Sequence, residues 1–226
     1  MFTLYIVATP IGNLEDITYR AVRILNEVPL VLAEDTRHSR LLFNHYDIKT
    51  PMESYHDFNK EKVTPKYLQY LKEKGDIALI SDAGTPGIAD PGFNLVRECV
   101  HSGIPVQAIP GPSALITALV CSAMPTDRFR FEYFPPKKSA QRIHLLEKLK
   151  ETADSTLIFY ASPHNVLKFI AEIRSVFGET PIALMRELTK KFEEHLIDTP
   201  TNLLEHYKER TPKGEFVLLF HPLGKG

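Results

Sequence analysis

The sequence predicts two α/β domains, the first built on a mainly parallel sheet and the second on a mixed one. Three observations carry this expectation. Apolar runs of strand character alternate with helical patterns through the first half of the chain, a proline-rich stretch at residues 110–127 breaks that rhythm, and in the second half two strand-like runs follow one another with no helix between them. With 226 residues, 43% of them hydrophobic, the chain fits one large domain or two small ones and holds enough apolar material for a substantial core.

Taken in order, strand-like runs at Thr3–Ala8, Leu30–Ala33, Ile77–Ile80 and Val106–Ile109 alternate with helical patterns at Ile17–Val28, Lys60–Lys74 and Asn94–Ser102. That is the rhythm of parallel strands joined by crossover helices. In the first helix Ile17, Ala21, Ile24, Leu25 and Val28 share one face at the 3.6 period while Arg20, Arg23 and Glu27 take the other, so it should pack on the sheet. Asp16 stands where an N-cap belongs and Pro29 ends the pattern. Ile109-Pro110-Gly111-Pro112-Ser113 then leads into an apolar helix, Ala114–Ala123, and Pro125-Thr126-Asp127 breaks the chain again, which places the domain boundary between residues 112 and 113. The second half offers strands at Arg128–Phe134, Thr156–Tyr160, Ile182–Glu187, Glu193–Asp198 and Glu215–Phe220, and helices at Ala140–Glu151, Asn165–Phe177 and Thr201–Tyr207. Gly224-Lys225-Gly226 reads as a frayed end.

A net charge of −1 excludes a polybasic tail, so any nucleic-acid contact must come from a local patch. Cys99 and Cys121 lie in apolar helical patterns without C-x-x-C spacing, which points to core roles for both and away from a disulfide scaffold or thiolate metal site. No H-x-x-x-H pair is present, and no metal is expected. The opening MFTLYIVATP lacks a basic leader and is too short an apolar run to cross a bilayer; it reads as a first strand of a cytoplasmic protein.

The most informative stretch is Ile80–Gly92, ISDAGTPGIADPG, where three glycines, two prolines and two aspartates follow a buried-strand pattern. Open α/β sheets place ligands at the carboxyl ends of strands, glycine lets backbone N–H groups approach a ligand, and proline holds a loop in shape before it is filled. The alternative is a tight strand-to-helix crossover with no ligand. Two further glycine loops, Ala8–Asn13 and Pro110–Ser113, also follow strands, so a parallel sheet would bring all three to one edge. None matches a P-loop or a dinucleotide fingerprint, and a modest ligand with an adenosine-like portion fits better than a polyphosphate.

After the second strand, Glu34-Asp35-Thr36-Arg37-His38-Ser39-Arg40 packs five ionisable residues into seven positions. Arg37 and Arg40 can grip anionic oxygens while Glu34 or Asp35 orients them or accepts a proton. The plainer reading is a helix capped by Asp35 or Thr36 with solvated charges. Arg128, Arg130, Lys137, Lys138, Arg142, Lys148 and Lys150 crowd one stretch with Phe129, Phe131, Tyr133 and Phe134 interleaved, a candidate RNA surface in which cations meet phosphates and an exposed aromatic stacks on a base. Against this stands a strand whose alternate aromatics simply fill the core.

LYIVATPIGNLEDITYRA (Leu4–Ala21), AEDTRHSRLL (Ala33–Leu42), ISDAGTPGIADPG (Ile80–Gly92), IPGPSALITAL (Ile109–Leu119) and KGEFVLL (Lys213–Leu219), in this order, resemble the ribosomal RNA small-subunit methyltransferase I family, of the tetrapyrrole methylase fold. The resemblance spans essentially the whole chain. It implies two α/β domains enclosing S-adenosyl-L-methionine in the cleft between them, a homodimer, and methyl transfer to the ribose 2′-hydroxyl of a cytidine in small-subunit rRNA or the assembled subunit. It implies donor contacts from Ile11, Gly12, Asp82, Ala83, Gly84, Thr85, Ile88, Ser113 and Ala114, and from Ala161, Glu187 and Leu188 in the second domain, the last two within MRELTK. Asp82 would orient the sulfonium, Glu34 or Asp35 would serve as base, Arg37 or Lys138 as phosphate or alkoxide partner, and Arg40, Arg130, Lys137, Lys138 and Arg142 would hold RNA.

The chain departs from the family at three places. Members commonly read FEGFLPRK where this chain has FEYFPPKK (Phe131–Lys138), so Tyr133 replaces a glycine; Ala161 and Asn165 flank Ser162-Pro163-His164 where a glutamate and an arginine are usual; and many members continue past the last strand into a further helical segment. Two rivals follow: a methylase of the same fold acting on a small molecule such as a tetrapyrrole, and a non-catalytic RNA-binding or assembly factor.

Overall fold

The computed structural model describes residues 1–224; Lys225 and Gly226, part of the expected frayed end, lie outside the described residues. Gly224 itself closes a turn, its N–H donating to the His221 carbonyl at 2.9 Å. The chain forms two compact units, Met1–Ser113 and the remainder from Ala114 onward.

The first unit is a five-stranded sheet made of β1 (Leu4–Val7), β2 (Leu30–Ala33), β3 (Met52–Ser54), β4 (Ile77–Ile80) and β5 (Val106–Ile109), in the spatial order β3-β2-β4-β1-β5. Every pairing in it is parallel. Strands buried on both faces need apolar residues at consecutive positions, and β2 and β4 are buried throughout. Their side chains sort by alternation. Val31, Ala33, Ala78 and Ile80 pack with Ala21, Ile24 and Leu25 of α1 (Tyr19–Glu27) and with Leu42 and Phe43 of α2 (Thr36–His45). Leu30, Leu32, Ile77 and Leu79 pack with Tyr67 and Leu71 of α3 (Lys60–Glu73) and with Leu95 and Cys99 of α4 (Phe93–His101). The result is three layers with helices on both sheet faces.

In two places the first unit differs from the sequence expectation. Asp16 is not the cap of α1: it closes a single 3-10 turn, Leu14–Asp16, and Thr18 takes the cap position instead, its hydroxyl accepting from the Ala21 N–H at 3.1 Å. Strand β3 carries no long apolar run because it is a three-residue edge strand whose residues are only half-buried, so its pattern is too short to register.

The second unit holds β6 (Phe129–Phe131), β7 (Thr156–Ala161), β8 (Ile182–Arg186), β9 (Glu194–Asp198) and β10 (Phe216–Phe220), ordered β6-β7-β10-β8-β9. Only β6 and β7 run parallel; the other pairings are antiparallel, so the sheet is mixed. Leu157, Phe159, Leu184, Leu218 and Phe220 form one core with Leu146 and Leu149 of α6 (Ser139–Thr152), Phe169 and Ile173 of α7 (Val166–Phe177) and Leu203 of α8 (Pro200–His206). The preceding α5 (Ala114–Cys121) buries Leu115, Ala118 and Leu119. Cys121 falls outside that stripe and is exposed, so only Cys99 has the expected core role. Strand β6 stops short of Phe134 because Tyr133 sits in the left-handed region, φ +63°, a conformation suited to the glycine usual at this position in the family that the sequence resembles.

Candidate active site

Because the first sheet is parallel, the segments following β1, β2, β4 and β5 all emerge at one edge. The helix after β1 covers one face and the helix after β4 covers the other, although β1 and β4 are neighbours. Connections that leave adjacent strands on opposite faces open a crevice at their carboxyl ends, the usual ligand position of such sheets.

The three glycine loops are tied to one another there. Thr9 and Gly84 exchange backbone hydrogen bonds at 2.9 and 3.0 Å, the Thr9 hydroxyl donates to the Ser81 carbonyl at 3.1 Å, and the Thr85 hydroxyl donates to the Pro112 carbonyl at 3.2 Å. Gly84 holds φ +82° and Gly87 φ +86°, which side chains rarely adopt. A Cβ on Gly111 would lie 2.9 Å from that of Ala8, so glycine is needed for the loops after β1 and β5 to touch. Gly111→Ala is accordingly expected to destabilise the protein by about 1–3 kcal/mol, read as a lower midpoint in urea.

Of the residues expected at the donor, Ile11, Gly12, Asp82, Ala83, Gly84, Thr85 and Ile88 lie on these linked loops, with Ser113 directly after Pro112 and Ala114 beginning α5. In the second unit Ala161 ends β7 and is buried, as is Leu188 beyond β8. The Glu187 carboxylate has a structural engagement: its Oε1 accepts from the Glu215 N–H at 2.9 Å and from Lys190 Nζ at 3.1 Å. Burial works against its charge, but the Glu215 amide and Lys190 outweigh it and hold the carboxyl below its usual range.

The charged segment after β2 divides. Asp35 caps α2, its Oδ1 accepting from the Arg37 N–H at 2.8 Å, and its Oδ2 pairs with the Arg37 guanidinium at 2.7 Å. Those Arg37 bonds hold the carboxyl far below its ordinary range, so Asp35 makes a weak base, while the Arg37 side chain is 89% exposed. Glu34 is the opposite case: burial, then the nearby Asp82 charge, pushes its carboxyl up. Asp82 itself accepts from the Asp35 N–H at 3.0 Å.

Asp90, which stood unassigned in the glycine-rich stretch, belongs to the same carboxylate group. Burial, then Glu34, raises it from 3.8 to about 7 against a lowering hydrogen bond from Ser81. A group whose folded pKa exceeds its unfolded one stabilises the fold fully below the unfolded value and loses that contribution as pH rises through the folded value. Asp90→Asn is therefore expected to match the unaltered protein near pH 3.5 and to exceed it by about 2 kcal/mol at pH 8, after discounting for partial exposure. Urea unfolding at the two pH values measures this; equal stability at pH 8 would dispose of it.

On the candidate RNA surface Arg40 is exposed on α2, and Lys137 and Lys138 are exposed before α6. Arg130 pairs with Glu132 at 2.7 Å and stays half exposed. Arg142 is a correction: it is buried, with its guanidinium donating to Glu172 and to the Pro136 and Lys137 carbonyls, and it offers nothing to an RNA phosphate. Its place on a helix within a basic run hides that inward direction. The alternative of a strand whose alternate aromatics fill the core fits poorly: Phe129 and Tyr133 are exposed, and Phe131 is half-buried against Tyr160.

A family model described as Tetrapyrrole (Corrin/Porphyrin) Methylases matches residues 3–204. The chain belongs to the tetrapyrrole methylase family. Among curated members it is similar to proteins named ribosomal RNA small subunit methyltransferase I. That of Haemophilus influenzae is 50% identical over 96% of this chain and 77% of its own length, and that of Halalkalibacterium halodurans 45% identical over 99% and 77%. The relative from Thermotoga maritima is 42% identical over 97% of this chain and 98% of its own length. Two solved structures share the fold of this tetrapyrrole methylase: uroporphyrin-III-C-methyltransferase from Thermus thermophilus, with TM-score 0.67, 19% identity and coverage of 99% of this chain and 96% of that one, and a diphthine synthase, with TM-score 0.71, 12% identity and coverage of 97% and 89%.

Sequence reasoning missed Asp90 and Ser81 as neighbours of Glu34 in this family member. Both were visible in the motif, but their proximity to Glu34 depends on β2 and β4 pairing, with Ala33 opposite Ile80, which no local pattern reveals.

Proposed function

We propose that the protein transfers a methyl group from S-adenosyl-L-methionine to the ribose 2′-hydroxyl of a cytidine in small-subunit ribosomal RNA, working as a homodimer in the cytoplasm on the RNA or the assembled subunit. The observation that carries this reading is the linked glycine-loop framework at the sheet's crevice, present in a chain up to half identical to proteins bearing that name. The residues fit such a donor. Positive-φ Gly84 and Gly87 leave backbone close to the crevice, and Gly87 has open space where a Cβ would stand. The Asp82 charge acts on both Glu34 and Asp90, whose raised carboxyls a neighbouring sulfonium would favour in ionised form, and His56, close enough to act on Glu34, has a buried Nδ1 with no partner among the described residues.

A bound donor would supply an electrophilic methyl carbon, its C–S bond being exchanged for the new C–O bond while the hydroxyl proton leaves to a base. The protein's part is to hold the reactants in line and to take that proton. Glu34 suits the second task, since burial and then the Asp82 charge raise its carboxyl, whereas Asp35 is committed to Arg37. Arg37 and Lys138, both exposed, are the cations for phosphate or a developing alkoxide.

Calorimetry with the donor and mass mapping of ribose methylation in rRNA, from cells with and without the gene, test the proposal. One cytidine methyl should vanish on deletion. An unaltered map, or activity on a porphyrin precursor alone, would overturn it, and a protein that binds no donor would be an assembly factor instead.

A further inference from the structure

Tyr133 holds a left-handed backbone, φ +63°, which is a genuine outlier for a bulky side chain, yet its ring is exposed and fills no core. Something must hold this conformation, and the surroundings do so from both sides. The Tyr133 carbonyl accepts from the Tyr160 N–H at 3.0 Å, the Glu132 N–H donates to the Ile158 carbonyl at 2.8 Å, and buried Arg142 fixes the carbonyls of Pro136 and Lys137 at 3.1 and 2.8 Å. The rings interlock edge to face: Tyr133 lies 5.3 Å from Phe134 and 6.3 Å from Phe131, while Phe134 lies 5.6 Å from Tyr160. Strain retained at an exposed position marks a working surface rather than a packing solution.

We propose that Tyr133 and Phe134 form a pre-set stacking platform for an unpaired RNA base, with Lys137 and Lys138 meeting the adjoining phosphates. The inference rests on the RNA-methyltransferase reading and adds the group that grips the base. Charge favours this occupant: two exposed cations follow the aromatic pair within four residues, the pairing of ring face and phosphate partner that single-stranded RNA demands. Rings interlocked with one another, in a loop whose following carbonyls Arg142 holds, lose little freedom when a base arrives.

The test is binding of a fluorescein-labelled single-stranded oligocytidine to the full chain, with thermal melting and sedimentation of each variant. Tyr133→Phe should bind within about twofold of the unaltered protein, whereas Tyr133→Leu and Tyr133→Gly should each weaken binding about tenfold. Tyr133→Gly should melt at the same or a higher temperature, since glycine accepts the backbone conformation, so its loss of binding cannot be ascribed to misfolding. Unchanged affinity in Tyr133→Leu and Tyr133→Gly overturns the platform, as does failure of the unaltered protein to bind; a changed oligomeric state with unchanged affinity makes the patch a self-association surface and overturns it too. Methylation of purified small subunits by the unaltered protein is the separate arm: its absence removes the enzymatic reading, whereas its presence beside unaffected variants removes the platform alone.

Discussion

Glu34→Gln is expected to lower methyl-transfer turnover about a hundredfold while leaving donor affinity within a few-fold. The carboxyl is raised first by burial and then by the Asp82 charge, which makes it a better proton acceptor than a solvated carboxylate. Glutamine keeps shape and hydrogen-bonding oxygen but takes no proton. Asp35→Asn is the companion measurement. Asparagine can still cap α2, and Asp35 is already engaged with Arg37, so turnover should change only a few-fold. Single-turnover methylation of purified small subunits separates the two; a Glu34→Gln protein as fast as the unaltered one would strip Glu34 of its role.

Arg142→Ala is expected to cost about 3 kcal/mol or more of stability, because it leaves a charged partner buried and unpaired. The Arg142 and Glu172 side chains are 4% and 12% exposed, and the guanidinium meets both carboxylate oxygens, at 2.5 and 2.7 Å. Ser139 adds a third bond to Glu172 at 2.7 Å. Burial alone would raise the Glu172 carboxyl, but these partners outweigh it and hold it below its usual range. A depressed carboxyl contributes stability above its unfolded pKa and loses it as pH falls through the folded one, so the deficit of Arg142→Ala should shrink in acid. Replacing both residues with leucine should recover most of the loss. Urea unfolding of the two variants beside the unaltered protein decides, and an Arg142→Ala loss under 1 kcal/mol would show that the pair behaves as though solvated.

Much of the architecture was legible. Consecutive apolar residues in β2 and β4 announce strands covered on both faces, and the glycine loops after β1, β4 and β5 share one edge because these strands run parallel. What escaped depends on three dimensions. Arg142 reads as one cation among seven, and only the packing of α6 against α7 shows that it points at Glu172. Asp16 and Thr18 are both acceptable caps by type, and the choice falls to a 3-10 turn that no periodicity marks. Tyr133 could be recognised as unusual only from its glycine-bearing relatives; its φ explains why glycine is common there.

Strand β10 lies between β7 and β8, although it is the last strand in chain order. A ribosome reading the message therefore releases the flanking strands of this sheet well before the piece that joins them. Until Phe220 is in place, β7 and β8 each keep one edge without its partner strand, and unpaired edges are where nascent sheets aggregate, so the centre of this sheet is completed last.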